Sequence, residues 1–219
     1  MPAESALRSR DNHAFGLIET LRYEPGQGCV RASRHLERLT ESARHFHRTF
    51  DRNEAAQMLA EIESDKPLRI RLFLDGQDQL TCMAHDFTPV PAGTVWNVAI
   101  AGTRLKSTDQ FIVHKTSLRE HYDAARAEFP ASHAEEVLLE NENGFLCEGT
   151  ITSLFMKREG KLITPRLSHG LLRGVLRQEL LDTGLAVEGD LTRGDLADAE
   201  IFVGNSLRGL ITARLVEPA

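Results

Sequence analysis

Residues 68–74 read Leu-Arg-Ile-Arg-Leu-Phe-Leu. Leu68, Ile70, Leu72 and Leu74 alternate with Arg69, Arg71 and Phe73, and a period of two puts the first set on one face of a strand. Earlier in the chain the period changes. Leu36, Leu39, Ala43, Phe46 and Phe50 recur at helical spacing in SRHLERLTESARHFHRTF, a stripe to be buried, with Ser33 as the expected N-cap. A chain carrying both periods must pack helices on sheets. AFGLIETLRYE, TCMAHDF and TVWNVAIAG read as further strands. FIVHK reads as a short strand ending on Lys115, and SLREHYDAARAEF as an amphipathic helix. EEVLLENENGFLCEGT and TSLFMKREGKLITP read as hairpins. GLLRGVLRQELLDTG reads as a helix closed by Gly184. AEIFVGNSLRGLITARL reads as two strands around Asn205 and Ser206. Strands and helices mixed in both halves predict an α+β fold of two lobes. The polar run from Ala101 to Phe111 suggests the boundary: a small N-terminal domain over residues 1–100, a linker over 101–107 and a larger C-terminal domain over 108–219.

Composition narrows the function classes. Among 219 residues, 26 Lys and Arg stand against 32 Asp and Glu, a net charge of −6. That balance argues against a nucleic-acid partner, which calls for a basic face. No apolar run approaches the ~20 residues of a membrane span. The opening MPAESALRSRDNHAFG has no apolar signal core, so no secretion is expected and the cytoplasm is the expected compartment. The three cysteines, Cys29, Cys82 and Cys147, are widely spaced and offer neither a disulfide framework nor a zinc site. No HExxH, CxxC, phosphate-loop or G-x-S-x-G pattern occurs, and no metal is expected.

Five lysines remain to search for covalent chemistry: Lys66, Lys106, Lys115, Lys157 and Lys161. Lysine forms Schiff bases with carbonyl groups. Lys115 alone ends an apolar stretch; a surface lysine at a strand end is the plainer alternative. Glu148, in FLCEGT, follows apolar residues where a solvated charge would be out of place, and a buried carboxylate needs a partner. It could as well be paired with an arginine. Gly170 and the residues after it suggest a helix start that could bind phosphate. Ser206, in GNSLRG, offers a hydroxyl within what could be only a turn.

In chain order, FGLIETLRY, RHLERL, HKTSLREHYDAAR, EVLLENENGFLCEGT, LITPRLSHGLLRGVLRQ and FVGNSLRGL resemble the class IV aminotransferases, pyridoxal-phosphate enzymes of fold type IV. The resemblance runs from about Phe15 to Leu215 and is nearest to aminodeoxychorismate lyase-like members. It implies the two-lobed, D-amino-acid aminotransferase-like architecture, with mixed sheets and flanking helices. By this resemblance Lys115 matches the lysine that holds the cofactor covalently. Arg38 matches the arginine on the cofactor phosphate, and Glu148 the carboxylate at the pyridine nitrogen. Val175 and Leu176 match the helix start whose N–H groups bind the phosphate, and Ser206 a further hydroxyl on it. Tyr122 is placed on the cofactor's phenolic oxygen. Ser153 stands where the family usually has asparagine, Leu176 where it has threonine, and Arg173 where proline is common.

The activity so implied is release of pyruvate from aminodeoxychorismate, leaving 4-aminobenzoate. The alternatives are an amino-acid aminotransferase of branched-chain or D-amino-acid type, and a non-catalytic member that keeps the fold. An amino-acid-like small-molecule substrate, a homodimer and a cofactor in the cleft between lobes are implied in the same way.

Overall fold

The computed structural model describes residues 14–216, so all but the last three residues of the opening stretch read for a signal core lie outside them. Contacts divide the chain into two compact units. The first runs to Pro89 and includes His114–Leu118; the second holds Val90–Val113 and the chain from Arg119 onward. No described helix is long and apolar enough to cross a membrane.

The first unit is a four-stranded antiparallel sheet, in the order β2-β1-β3-β4, with two helices. Its strands are β1 (Leu17–Glu24), β2 (Gly28–Cys29), β3 (Leu68–Leu74) and β4 (Leu80–Asp86). The alternation in β3 does what its period dictates: Leu68, Ile70, Leu72 and Leu74 are all buried. Helix α1 (Ala32–His45) lays Leu36 on the core beside Leu21, Ile70 and Leu72. It begins before the expected cap, with Arg31 at the N-cap and Ser33 already inside the first turn. Helix α2 (Arg52–Ala60) was not foreseen, although its signal is local. The Asp51 side chain accepts the N–H groups of Asn53 and Glu54, and Ala55 and Leu59 sit one turn apart in the core.

The second unit is an eight-stranded sheet ordered β10-β9-β8-β11-β12-β5-β6-β7, in which β7 also pairs with β8 and closes six strands into a ring. In chain order its strands are β5 (Val95–Leu105), β6 (Glu136–Asn141), β7 (Leu146–Gly149), β8 (Ser153–Arg158), β9 (Lys161–Pro165), β10 (Ala186–Gly189), β11 (Glu200–Asn205) and β12 (Gly209–Leu215). Helices α3 (Glu120–Ala127) and α4 (Val175–Asp182) accompany them. Both expected hairpins are present, as is the β11–β12 pair.

Three expectations need correction. Residues 101–105 are no linker but the end of β5, with Ala101 and Leu105 fully buried. The register against β6 slips between Ile100 and Arg104, and the amides of Gly102 and Thr103 donate instead to the Glu128 carboxylate, at 2.6 and 2.8 Å. The outward-facing bulge makes a buried strand look polar. FIVHK is a turn rather than a strand. Asp109 accepts the Phe111 N–H on its side chain and the Ile112 N–H on its carbonyl, which coils the apolar run so that Ile112 reaches the core. Finally, α4 starts at Val175 with Gly174 as its N-cap, while Gly170 ends a short 3-10 turn over Leu167–His169. Gly170 has φ 79°, and a Cβ there would meet the Ser107 backbone at 2.6 Å.

Candidate active site

In the first unit, site residues gather on β1 and α1. Glu19 lies in phase with Leu17 and Leu21 on the buried face of β1 and is 1% exposed. On α1, His35 and Arg38 are three residues apart and share a face. Arg38 donates to Glu19 from Nε to Oε1 at 2.8 Å and from Nη2 to Oε2 at 2.6 Å. His35 Nδ1 stands 2.6 Å from the same Oε2. Burial alone would raise the Glu19 carboxyl, but the Arg38 guanidinium and His35 outweigh it and bring it down to about 2. His35 is lowered, chiefly by burial, against the pull of Glu19. It is therefore a neutral ring donating its Nδ1 proton to the carboxylate.

Lys115 belongs to this unit and is half-buried. Its carbonyl accepts the Ile18 N–H at 2.8 Å, one residue from Glu19. Thr116 bridges Leu17, the Ser117 N–H donates to the Gly16 carbonyl, and the Gly16 N–H donates to Ser117 Oγ at 3.0 Å. These bonds fix the backbone of Lys115 against the start of β1. Its ammonium is also one of the charges that depress His35. His114 is anchored as well: its Nδ1 is 2.9 Å from Ser42 Oγ, and its ring lies against that of His45, tilted by 31° with centroids 4.4 Å apart.

In the second unit, the residues meet around Ser153. Ser153 pairs with Glu148 on one side and Gly204 on the other, and a Cβ on Gly174 would stand 2.5 Å from its Oγ. This one position therefore brings the Glu148 strand, the N-terminus of α4 and the turn carrying Ser206 together. Glu148 is 4% exposed, and its Oε1 accepts the Tyr122 hydroxyl at 2.7 Å and the Leu172 N–H at 3.0 Å. Burial first, and then the neighbouring Glu148, push the Tyr122 phenol well above its usual value, so it stays a donor. The Tyr122 hydroxyl, expected at a phenolic oxygen of the cofactor, donates here to Glu148. The first turn of α4 has no side-chain cap. Val175 and Leu176 are both buried, and Leu176 packs with Phe155, Leu180 and Ala186. Leu176 can thus offer only its backbone N–H at the helix start. Ser206 is 5% exposed, in the turn where Asn205 Oδ1 accepts the Arg208 N–H.

Sequence reasoning missed Glu19, His35 and Glu136. Glu19 had a readable signal, a carboxylate on the apolar phase of a strand. Glu136 is fully buried and lies next to the site turn, but nothing local in the sequence separates it from its neighbour Glu135. Among the described residues, no group of three or more His, Cys, Asp or Glu side chains could hold a metal ion.

Residues 16–216 match the profile of amino-transferase class IV, and the chain belongs to that family, whose members depend on pyridoxal phosphate. The α+β fold expected from the sequence is the fold of this family. A Mesorhizobium loti crystal structure, described as a candidate amino-acid aminotransferase, is 46% identical with a TM-score of 0.88, covering 92% of this chain and 100% of that one. The aminodeoxychorismate lyase of Saccharomyces cerevisiae is 33% identical over 135 residues, which is 53% of this chain and 36% of that protein. A candidate aminodeoxychorismate lyase of Schizosaccharomyces pombe is 39% identical over 89 residues, 39% of this chain and 38% of that protein. The aligned part of the chain thus spans little more than a third of either yeast protein.

Proposed function

We propose that this chain is a pyridoxal-phosphate enzyme that moves a proton at the carbon bearing its substrate's amino group, and that its reaction is release of pyruvate from aminodeoxychorismate to leave 4-aminobenzoate. The observation that carries the cofactor assignment is the setting of Glu148: a buried carboxylate pinned by one phenol and one backbone N–H. Such a carboxylate suits a protonated ring nitrogen. The family resemblance assigns the remaining residues to the same cofactor. Arg38 and the uncapped start of α4, with the N–H groups of Val175 and Leu176, are suited to a dianionic phosphate, and Ser206 supplies a hydroxyl. Tyr122 acts through Glu148. When bound, pyridoxal phosphate supplies an electron sink for negative charge at the substrate carbon.

Lys115 is assigned the covalent bond to the cofactor and, once its amine is free, the proton at the substrate carbon. Its backbone is fixed by β1, which limits where the amine can reach. Glu19 holds Arg38 in one orientation, so the guanidinium meets a phosphate without first being ordered.

The lyase reading draws support from the two yeast relatives. An amino-acid aminotransferase is the second reading, and the Mesorhizobium loti structure, matched over its whole length, favours it. A cytoplasmic homodimer acting on an amino-acid-like small molecule belongs to the same proposal. The deciding assay supplies aminodeoxychorismate with no 2-oxo acid present. Pyruvate and 4-aminobenzoate should appear together. Silence there, combined with turnover of an amino acid plus 2-oxoglutarate, would replace the lyase by the aminotransferase. A monomer by light scattering would remove the homodimer.

A further inference from the structure

Glu136, on β6, is fully buried, and five hydrogen bonds converge on its carboxylate. Oε1 accepts the Val137 N–H at 2.8 Å, the Thr150 N–H at 3.0 Å and the Thr150 hydroxyl at 2.5 Å. Oε2 accepts the Ile151 N–H at 3.1 Å and the Thr152 hydroxyl at 2.7 Å. Four of the five come from the turn that joins β7 to β8. That turn begins at Glu148 and ends at Ser153. Its outward carbonyls are held as well: Arg119 Nη2 donates to the Thr150 carbonyl at 2.7 Å, and Asn205 Nδ2 donates to the Ile151 carbonyl at 3.0 Å. Asn205 immediately precedes Ser206. Gly149 leaves room for the arrangement, because a Cβ there would stand 2.7 Å from Glu136 Oε2 and 2.5 Å from Thr152 Oγ1.

We infer that Glu136 is a positioning residue of the cofactor site, one that sets the turn over residues 149–152 and so aims Glu148 and seats Ser153 against the start of α4. The inference rests on the reading that Glu148 meets the cofactor's ring nitrogen. Glu136 touches neither substrate nor cofactor; it acts through the turn. A carboxylate is an acceptor-only group, and both of its oxygens face donors here. Glu136→Gln keeps the size but points an NH2 group at one of the two donor sets, and a buried mismatch of this kind forces the turn to move.

The test compares Glu136→Gln, Glu148→Gln and Thr164→Val, each loaded with pyridoxal phosphate. Thr164 is also fully buried on the same sheet, where its hydroxyl donates to the Leu154 carbonyl, and its loss should cost stability alone. The readouts are the pH midpoint of the bound cofactor's visible band and amide exchange at Thr150 and Ile151 in the cofactor-free protein. The inference expects Glu136→Gln to speed exchange at both amides, to move the midpoint in the same direction as Glu148→Gln, and to weaken cofactor binding by about fivefold or more, the worth of one net hydrogen bond. Thr164→Val should leave the midpoint in place. A midpoint that moves in Glu148→Gln but not in Glu136→Gln overturns the positioning role alone. A midpoint unmoved in Glu148→Gln overturns the reading of Glu148, and the inference with it. Should Glu136→Gln fail to fold, Thr152→Val removes a single donor and carries the same decision: a midpoint shifted the same way supports the role, and an unmoved one overturns it.

Discussion

Glu19 grips Arg38 with both carboxylate oxygens, at 2.8 and 2.6 Å, from a strand position that is 1% exposed. The Arg38 side chain is itself only 10% exposed. Removing one partner of a buried ion pair strands the other charge, at a cost of about 3–5 kcal/mol. Glu19→Gln should lose stability of that order in urea unfolding. It should also weaken pyridoxal phosphate binding more than binding of unphosphorylated pyridoxal, since only the phosphate needs Arg38. Equal losses for the two ligands would detach Arg38 from the phosphate.

The same cluster fixes an acid response. Glu19 is held at about 2 against an ordinary 4.5, so its contribution is present above pH 4.5 and is lost as pH falls towards 2. His35 is also lowered, from 6.5, by burial. Its contribution is complete above pH 6.5 and declines below it, because the unfolded chain takes up the proton first. Both slopes have one sign, so stability should fall steadily on acidification from pH 6.5. In His35→Asn, whose amide can still donate to Glu19, the part of the fall that begins near pH 6.5 should flatten. A stability profile identical to that of the unaltered chain would contradict the assignment of a neutral His35.

Gly174 and Ser153 are sterically coupled. A Cβ on Gly174 would stand 2.5 Å from Ser153 Oγ. Gly174→Ala should destabilise by about 1–3 kcal/mol, the usual cost of overpacking, and should weaken cofactor binding through the shifted start of α4. Ser153→Ala removes the clashing oxygen, so the double variant should recover most of both losses in a double-mutant cycle. Additive losses would mean that the two positions do not meet.

Leu176 stands where the family usually has threonine, yet its side chain packs among Phe155, Leu180 and Ala186. Leu176→Thr would bury a hydroxyl among apolar groups and leave a gap. It should lower the thermal midpoint, by about 2 kcal/mol or more in stability, without tightening pyridoxal phosphate binding. Tighter binding, read by fluorescence titration, would show that the hydroxyl reaches the phosphate after all.

Much of this was legible in the sequence because it is periodic or local. The alternation of Leu68, Ile70, Leu72 and Leu74 defines β3, the Arg158-Glu159-Gly160 turn defines a hairpin, and Gly184, at φ 71°, marks the end of α4. What escaped depends on distant partners. The polar look of Gly102 and Thr103 hid a strand, because their amides are satisfied by Glu128, a residue on another element. Phe111, Ile112 and Val113 look like a strand until Asp109 is seen to cap the turn. Glu148 and Lys115 stood out in their motifs, but the partners that hold them could not be read from spacing. Tyr122 lies 26 residues from the carboxylate it serves, and Ile18, which clamps the backbone of Lys115, lies on the first strand of the chain. Glu136 escaped altogether, since four of its five donors reach it only when β7 turns into β8.

The central claim is that Lys115, alone among the five lysines, bonds to pyridoxal phosphate. The direct measurement is to load the protein with the cofactor, reduce it with borohydride and locate the added mass by peptide mass spectrometry. The account predicts a single phosphopyridoxyl group on the peptide carrying Lys115, and neither that adduct nor the visible band in Lys115→Ala. An adduct on Lys66, Lys106, Lys157 or Lys161 in its place, or a protein that takes up no cofactor at all, would contradict it.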